Sequence, residues 1–500
     1  MFLRTAATSA AGVIVLAVLG AVMGPGWNPA PVTDAPAVAS ASTAITVPDG
    51  VAPPAPVGTY EVEAHVIDVP LDGAVVQAQV LEPVGAGEDL DGVVFVHGAG
   101  TGQFTRAFRT QARDLATAGV VTMVPNKRLD TYTTLNRDYP AMAADYQRSV
   151  DVLRGWPGVD PDRVGVYGES EGCWIVPVMT AEHPDIAFSV LVSAPVVPPR
   201  QQAGFAADSY LRNTDVPQGV FRAIPRAVGL GFPGDMFDYA DFDVAPYQRH
   251  TTQPVLMAYG TEDTSMPTVQ GPQQVRADLA QAGNDALTVR YYAGADHGIR
   301  IGGTVSADFV RDLATWVGGL PATAAAEPRI AGDQPHQTLR ADPLPTPRWF
   351  GTVDAVLATL VTACAALVVG ALALVVARLR RRRGRGLAEG VTAPLTALAL
   401  GAVVTVVALV AYLLTVARLA LDYEHNVWVV QGGWLGVRLL GVAAVVAGAV
   451  LVRRVRDARA DPDVRVARGP AAGVALWGLT AGSVVLLVTL AYWGVFQLGI

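Results

Sequence analysis

Lysine is almost missing from this 500-residue chain: of its 36 basic residues only Lys127 is not arginine. Charged residues of either sign are scarce too, at 16%, where a water-soluble domain carries about 25%. Part of the chain is therefore expected to dissolve in lipid. The net charge of −8 leaves no basic face for a nucleic-acid partner. There are two cysteines, Cys173 in an expected buried helix and Cys364 in an apolar run, which excludes a disulfide framework. No metal-ligand spacing occurs. Asp235, Asp238, Asp241 and Asp243 are interleaved with Phe and Tyr and no closing Glu follows, so they read as a solvated face, not a calcium loop. The glycine-rich stretch Gly98 to Gly102 is not followed by Gly-Lys-Ser/Thr, which excludes a phosphate loop. No metal and no cofactor is expected. The arginine bias, with the Ala/Val/Gly/Pro load, points to a GC-rich bacterial coding sequence.

What is present in abundance is long apolar runs. Arg4 precedes a first run from Ala6 to about Met23, which reads as a signal peptide or, the preferred reading, an uncleaved anchor over 1–23. Four more runs fill 349–500: Ala355 to Val376, Pro394 to Ala417, Trp434 to Val452 and Ala471 to Trp493. Each comes close to or exceeds the roughly 20 residues that cross the bilayer as a helix. The loop after the first of these four holds Arg378, Arg380, Arg381, Arg382, Arg383 and Arg385, and the loop after the third holds Arg453, Arg454, Arg456, Arg459, Arg465 and Arg468. Between them, Asp422 to Asn426 has no basic residue. Basic loops stay cytoplasmic, so 24–348 is expected on the outer side. Trp349, Phe350, Tyr423, Trp428, Tyr492 and Trp493 fall at the same outer edges. Only Asp354 and Arg438 are ionisable within the runs, both near an outer boundary, so anchoring is favoured over conduction.

The outer segment divides by composition. Residues 24–57, rich in Pro, Ala, Val and Ser, read as a disordered tether, and 321–348 as a second linker. At about 3.4 Å per residue the latter would reach on the order of 90 Å. Between them, 58–320 alternates strand and helix. A hairpin turns at Asp72-Gly73, and short apolar strands follow at Gly92–His97, Val120–Val124, Arg163–Tyr167, Phe188–Val192, Pro254–Tyr259 and Ala286–Tyr292, separated by helices. This is an α/β pattern: a mostly parallel sheet covered on both faces.

One motif stands between a strand and a helix: Gly168-Glu169-Ser170-Glu171-Gly172. G-x-S-x-G in that context presents the serine hydroxyl on a strained turn where both glycines avoid clashes, and aims the Glu171 amide at a developing oxyanion. A serine needs a base, and the base an orienting acid. His297, in Gly294-Ala295-Asp296-His297-Gly298, lies beyond the last strand, whereas His65, His183 and His250 fit worse. Asp263 follows the strand ending at Tyr259, with Glu262 as its competitor. The second oxyanion amide is expected from Ala99, in the glycine-rich loop after the early strand.

These stretches resemble the α/β-hydrolase superfamily over Tyr60 to Leu320, and look closest to dienelactone-hydrolase, acyl-CoA-thioesterase-like and prolyl-oligopeptidase-type serine hydrolases. His97-Gly98-Ala99-Gly100, Asn126-Lys127-Arg128, the Ser170 motif and the His297 motif carry the likeness; relatives often hold Asp at Asn126 and Gly at Cys173. The resemblance implies hydrolysis of an acyl ester, thioester or amide of a small molecule or peptide through an acyl-enzyme. A helical lid is expected over about 196–250, with Phe205, Tyr210, Phe221, Phe232, Met236 and Phe237 lining an acyl pocket. Pro177 should kink the helix behind Ser170. The rival class is a non-enzymatic binding or scaffold domain displayed on a membrane bundle.

Overall fold

The computed structural model describes residues 2–379, 386–421 and 424–498. Expectations on Arg380, Arg381, Arg382, Arg383, Arg385, Asp422 and Tyr423 lie outside these described residues. The chain forms two compact units. One comprises Pro29–Ala206 and Asp235–Asp342; the other comprises Met1–Asn28, Ala207–Gly234 and Pro343–Ile500.

After helix α1 (Phe2–Val22), which belongs to the second unit, the first unit opens with the hairpin β1 (Val62–Leu71) and β2 (Ala74–Pro83). Gly73 takes the left-handed conformation that the turn requires, at φ 72°. Then β3 (Leu90–Val96), α2 (Arg109–Thr117), β4 (Val121–Pro125), α3 (Tyr139–Arg154), β5 (Val159–Glu169), α4 (Gly172–Glu182) and β6 (Ser189–Val192) alternate. Helices α5 (Pro199–Asn213), α6 (Gln218–Phe221) and α7 (Ala245–Gln248) occupy the insertion before β7 (Val255–Gly260). Next come α8 (Gln270–Gln281), β8 (Leu287–Tyr292), the small hairpin β9 (Arg300–Ile301) and β10 (Thr304–Val305), and α9 (Ala307–Gly318). A short strand, β11 (Ile330–Gly332), completes the sheet.

The nine-stranded sheet has the order β1-β2-β4-β3-β5-β6-β7-β8-β11. β2 pairs antiparallel with β1 and β4, and every other pairing is parallel. β6, β7 and β8 are buried along their whole lengths, as continuous apolar strands demand when helices cover both faces. Side-chain alternation sorts each strand between two cores. Val94 and Val96 pack with Tyr146, Val176 and Leu279, while Val93 and Phe95 pack with Leu115, Phe309 and Trp316. Two helix starts are capped by side chains: Asp138 accepts from the Ala141 amide at 3.0 Å, and Ser306 caps α9.

Three features differ from the expectations. Residues expected as a disordered tether run extended against the first unit: Val32 donates to Thr338 and Arg340 to Ala30, and Ile45 is buried. The expected second linker supplies β11, and Ala341 is buried in the core. Backbone pairing with distant chain, invisible in a Pro/Ala-rich composition, satisfies these segments, so the first unit extends past 58–320 on both sides. Third, the expected lid is divided. Its helices form, but Ala207–Gly234 belongs to the second unit. Helix α4 runs through Pro177 to Glu182 without a break.

The second unit contains α1, α10 (Val353–Leu379), α11 (Thr392–Leu421), α12 (Gly433–Ala460) and α13 (Pro470–Tyr492). Among the described residues these five helices are long and apolar enough to cross a membrane, α12 together with the turn of Trp428–Gly432 before it. Val361, Val368, Leu372, Val407, Leu414 and Leu439 are each more than half exposed, a surface suited to hydrocarbon rather than water. Small residues bring the helices together: a side chain at Gly482 would meet the Ala363 carbonyl at 2.8 Å, and one at Gly370 the Leu479 amide at 2.7 Å. Arg226 is fully buried and donates to the carbonyls of Gly20 (3.0 Å), Gly24 (2.8 Å), Pro25 (3.0 Å) and Tyr492. It thereby fills acceptors left open where α1 and α13 end, at the negative ends of both helix dipoles. Arg438 donates to the Gln497 carbonyl at 2.6 Å, and Asp354 lies in the first turn of α10.

Candidate active site

Ser170 sits between β5 and α4 with φ at +55°, a left-handed conformation that costs a non-glycine residue about 1–3 kcal/mol unless its surroundings impose it. The surroundings do. A side chain at Gly168 would meet Val176 at 2.8 Å and Gly172 at 2.9 Å, and one at Gly172 would meet the Val96 carbonyl at 2.6 Å. The Ser170 amide is held by the Val192 carbonyl at 2.9 Å. The turn is thus clamped between β3 and β6, with the serine at the carboxyl edge of the sheet.

Two further loops leave the same edge. Asp263, beyond β7, is buried, whereas its competitor Glu262 is exposed. Asp263 Oδ2 lies 2.8 Å from His297 Nδ1, and its Oδ1 accepts from the Ser265 hydroxyl at 2.7 Å and the Ser265 amide at 3.1 Å. Burial would raise the Asp263 pKa, but His297 and Ser265 together hold it below the ordinary carboxylate value. Burial would likewise lower the His297 pKa, yet the Asp263 carboxylate outweighs it and keeps the imidazole above its usual value. The two loops touch closely, since a side chain at Gly260 would meet the Ala295 carbonyl at 2.1 Å. Asp296 accepts from the Gly298 and Arg300 amides, both at 2.9 Å, and so shapes the turn that carries His297. Ser193, buried and at φ +50°, donates its hydroxyl to the His297 carbonyl at 2.7 Å. The Val192-Ser193 pair therefore holds both Ser170 and His297.

The early loop lies against this turn: a side chain at Gly98 would meet the Glu169 carbonyl at 3.0 Å and Ser170 Cβ at 3.2 Å. Below it is a cluster of charge. Lys127 Nζ donates to the Gly98 carbonyl at 2.7 Å and to Glu171 Oε2 at 2.9 Å, with both side chains 1% exposed. Tyr132 donates to the same Glu171 oxygen at 2.8 Å, and Arg137 to the other. His97 is buried with Nε2 2.7 Å from the Pro125 carbonyl; burial drops its pKa to about 4, which keeps it neutral and structural. Cys173 lies beneath the turn, its thiol within 3.3 Å of the Gly168 carbonyl.

The sheet thus brings Asp263 and His297 into contact and carries Ser170, Glu171 and Ala99 to the same edge. His65 instead packs tilted against Trp156, ring centroids 5.5 Å apart, and His250 bonds the Pro246 carbonyl at 2.8 Å. Of the residues expected to line an acyl pocket, Phe205 packs in the first unit's core, Phe221 and Tyr210 pack in the second unit's, and Met236 is exposed. Sequence reasoning missed Ser193, Ser265 and the tie from Lys127 to Glu171. Ser265, two residues past Asp263, carried a local signal as a small hydroxyl able to fold back on a carboxylate. Among the described residues no group of three His, Cys, Asp or Glu side chains could hold a metal.

Strand order, the Ser170 turn and the loops after β7 and β8 define an α/β-hydrolase fold. Residues 145–302 match the family described as BAAT / Acyl-CoA thioester hydrolase C terminal. Among solved structures, the esterase of Pyrobaculum calidifontis is 17% identical, covering 53% of this chain and 86% of its own, at a TM-score of 0.38. The dienelactone hydrolase of Anabaena variabilis is 16% identical, covering 52% and 96%, at 0.35. The acylaminoacyl peptidase of Pyrococcus horikoshii is 16% identical, covering 51% and 40%, at 0.36. No curated protein matches.

Proposed function

We propose that the protein is a membrane-held serine hydrolase that cleaves an acyl ester, thioester or amide through an acyl-enzyme on Ser170. The observation that carries this reading is the 2.8 Å bond between His297 and buried Asp263 at the sheet edge that also presents Ser170 on its clamped turn. His297 would take the serine proton and return it to the leaving group, while Asp263 fixes the tautomer with Nδ1 protonated and stabilises the imidazolium. The amides of Ala99 and Glu171 would bind the oxyanion. Neither donates within the protein among the described residues, which leaves both available to a ligand. The family match over 145–302 supports acyl-group chemistry and makes a thioester a substrate to try first.

The arginine-rich loops after α10 and α12 support a cytoplasmic-membrane protein with the catalytic unit on the outer face. The test is covalent labelling of the full chain by a fluorophosphonate, followed by a panel of acyl esters, thioesters and peptides. Labelling at Ser170 with turnover of at least one panel member is the expected result. No labelling and no turnover would favour a binding domain in its place. Labelling of intact cells by a membrane-impermeant fluorophosphonate checks the sidedness.

A further inference from the structure

We propose that Lys127 is a positioning residue that fixes both halves of the oxyanion hole at once. The proposal rests on the serine-hydrolase reading above and deepens it. The Gly98 carbonyl and the Ala99 amide belong to one planar peptide unit, in which C=O and N–H point in opposite directions. Pinning the Gly98 oxygen on Lys127 Nζ at 2.7 Å therefore sets the direction of the Ala99 N–H. The bond is charge-assisted, and it polarises the amide so that its N–H becomes a stronger donor. The same ammonium holds the Glu171 carboxylate at 2.9 Å, and Glu171 carries the other amide. Its remaining bonds come from Tyr132, Arg137 and, at 3.5 Å, Tyr139.

The choice of residue supports this role. The chain uses arginine at every other basic position and lysine only here. Lys127 meets three partners in three directions: the Gly98 carbonyl, the Glu171 carboxylate and the face of Tyr132, 4.3 Å from its nitrogen. A compact ammonium satisfies that arrangement where a planar guanidinium fork does not. A buried ion pair is moreover a poor source of stability, since apolar residues of similar size often hold a core as well. Its contribution here is the geometry of two amides.

The test uses the full chain in detergent with 4-nitrophenyl butyrate. Lys127→Met should lower kcat about 100-fold, the scale of a lost oxyanion donor, and leave KM within about threefold. The affinity for an alkyl trifluoromethyl ketone, which forms the tetrahedral adduct, should fall in parallel. Lys127→Arg should recover no more than about a tenth of the lost rate. A folded Lys127→Met protein whose kcat stays within about threefold of the parent overturns the proposal. If that variant does not fold, Glu171→Gln decides: a loss of about tenfold in kcat at constant KM supports the proposal, and an unchanged kcat overturns it. A parent that fluorophosphonate fails to label overturns the serine-hydrolase reading itself. A labelled parent with an unimpaired Lys127→Met overturns this proposal alone.

Discussion

Two buried cations, Lys127 in the first unit and Arg226 in the second, are neutralised in opposite ways, while Arg290, also buried in the first unit, is held by carbonyls as Arg226 is. In the first unit Lys127 meets a carboxylate, Glu171, and through it a network of Tyr132 and Arg137. In the second unit Arg226 donates to backbone carbonyls, those of Gly20, Gly24, Pro25 and Tyr492, and lies 4.7 Å over the Tyr492 ring. A countercharge lets the first unit aim polar groups at a reacting centre. Helix ends offer the second unit spread partial charge, enough to absorb a guanidinium among apolar helices without a second buried ion. On the reading proposed above one arrangement directs chemistry and the other closes a bundle, so substitutions in the two units should fail in different observables.

The largest effect expected is on Ser170→Ala, which should lower acyl-ester turnover by about 10³–10⁶-fold, with the melting of the protein little changed. Residual turnover near the parent level would remove the nucleophile from the proposal. Asp263→Asn should cost about 10³–10⁴-fold and also move the pH profile. His297 must be neutral to act as base, and Asp263 holds its pKa above the usual value of about 6.5. Parent activity should therefore fall, on acidification, through a pH above about 6.5. Without the carboxylate, burial is opposed only by the more distant Glu169 and Asp296, and the limb should move to lower pH. A limb that stays in place would show that Asp263 does not set it.

Smaller effects probe the second unit. Arg226→Met should leave the four carbonyls unpaired and destabilise the bundle by about 1–3 kcal/mol, read as a lower melting temperature in detergent. An unchanged melt would mean that water serves those helix ends equally well. Smallest is Ser306→Ala, which removes the cap of α9 and should cost about 1 kcal/mol of first-unit stability by chemical denaturation. A loss as large as that of Arg226→Met would break the contrast between a local cap and a cation shared by two helices.

The parts of this molecule legible in its sequence are those specified locally. Ser170 is announced by glycines two residues to either side, which contact Val176 and Val96 as a tight turn requires. The carboxyl ends of β7 and β8 follow from apolar strands of the right length, which is why Asp263 and His297 stood out. The five long helices are legible because lipid demands runs of about 20 apolar residues whatever they pack against. What stayed hidden is specified by partners far away in the chain. Ile45 sits in the first unit's core although its neighbours are Pro- and Ala-rich. Phe221, expected as pocket lining, shares the second unit's apolar core with Trp434 and Leu490. Lys127 meets a glutamate 44 positions on.

Because Lys127 is the sole lysine and is shut away from water, amine-directed reagents have no reachable side chain on this protein. The same solitude makes it a reporter. Growth on isotope-enriched lysine would place one labelled ammonium in the entire chain, 2.7 Å from the Gly98 carbonyl. Its resonance would follow that loop as inhibitors bind, with no assignment problem to solve.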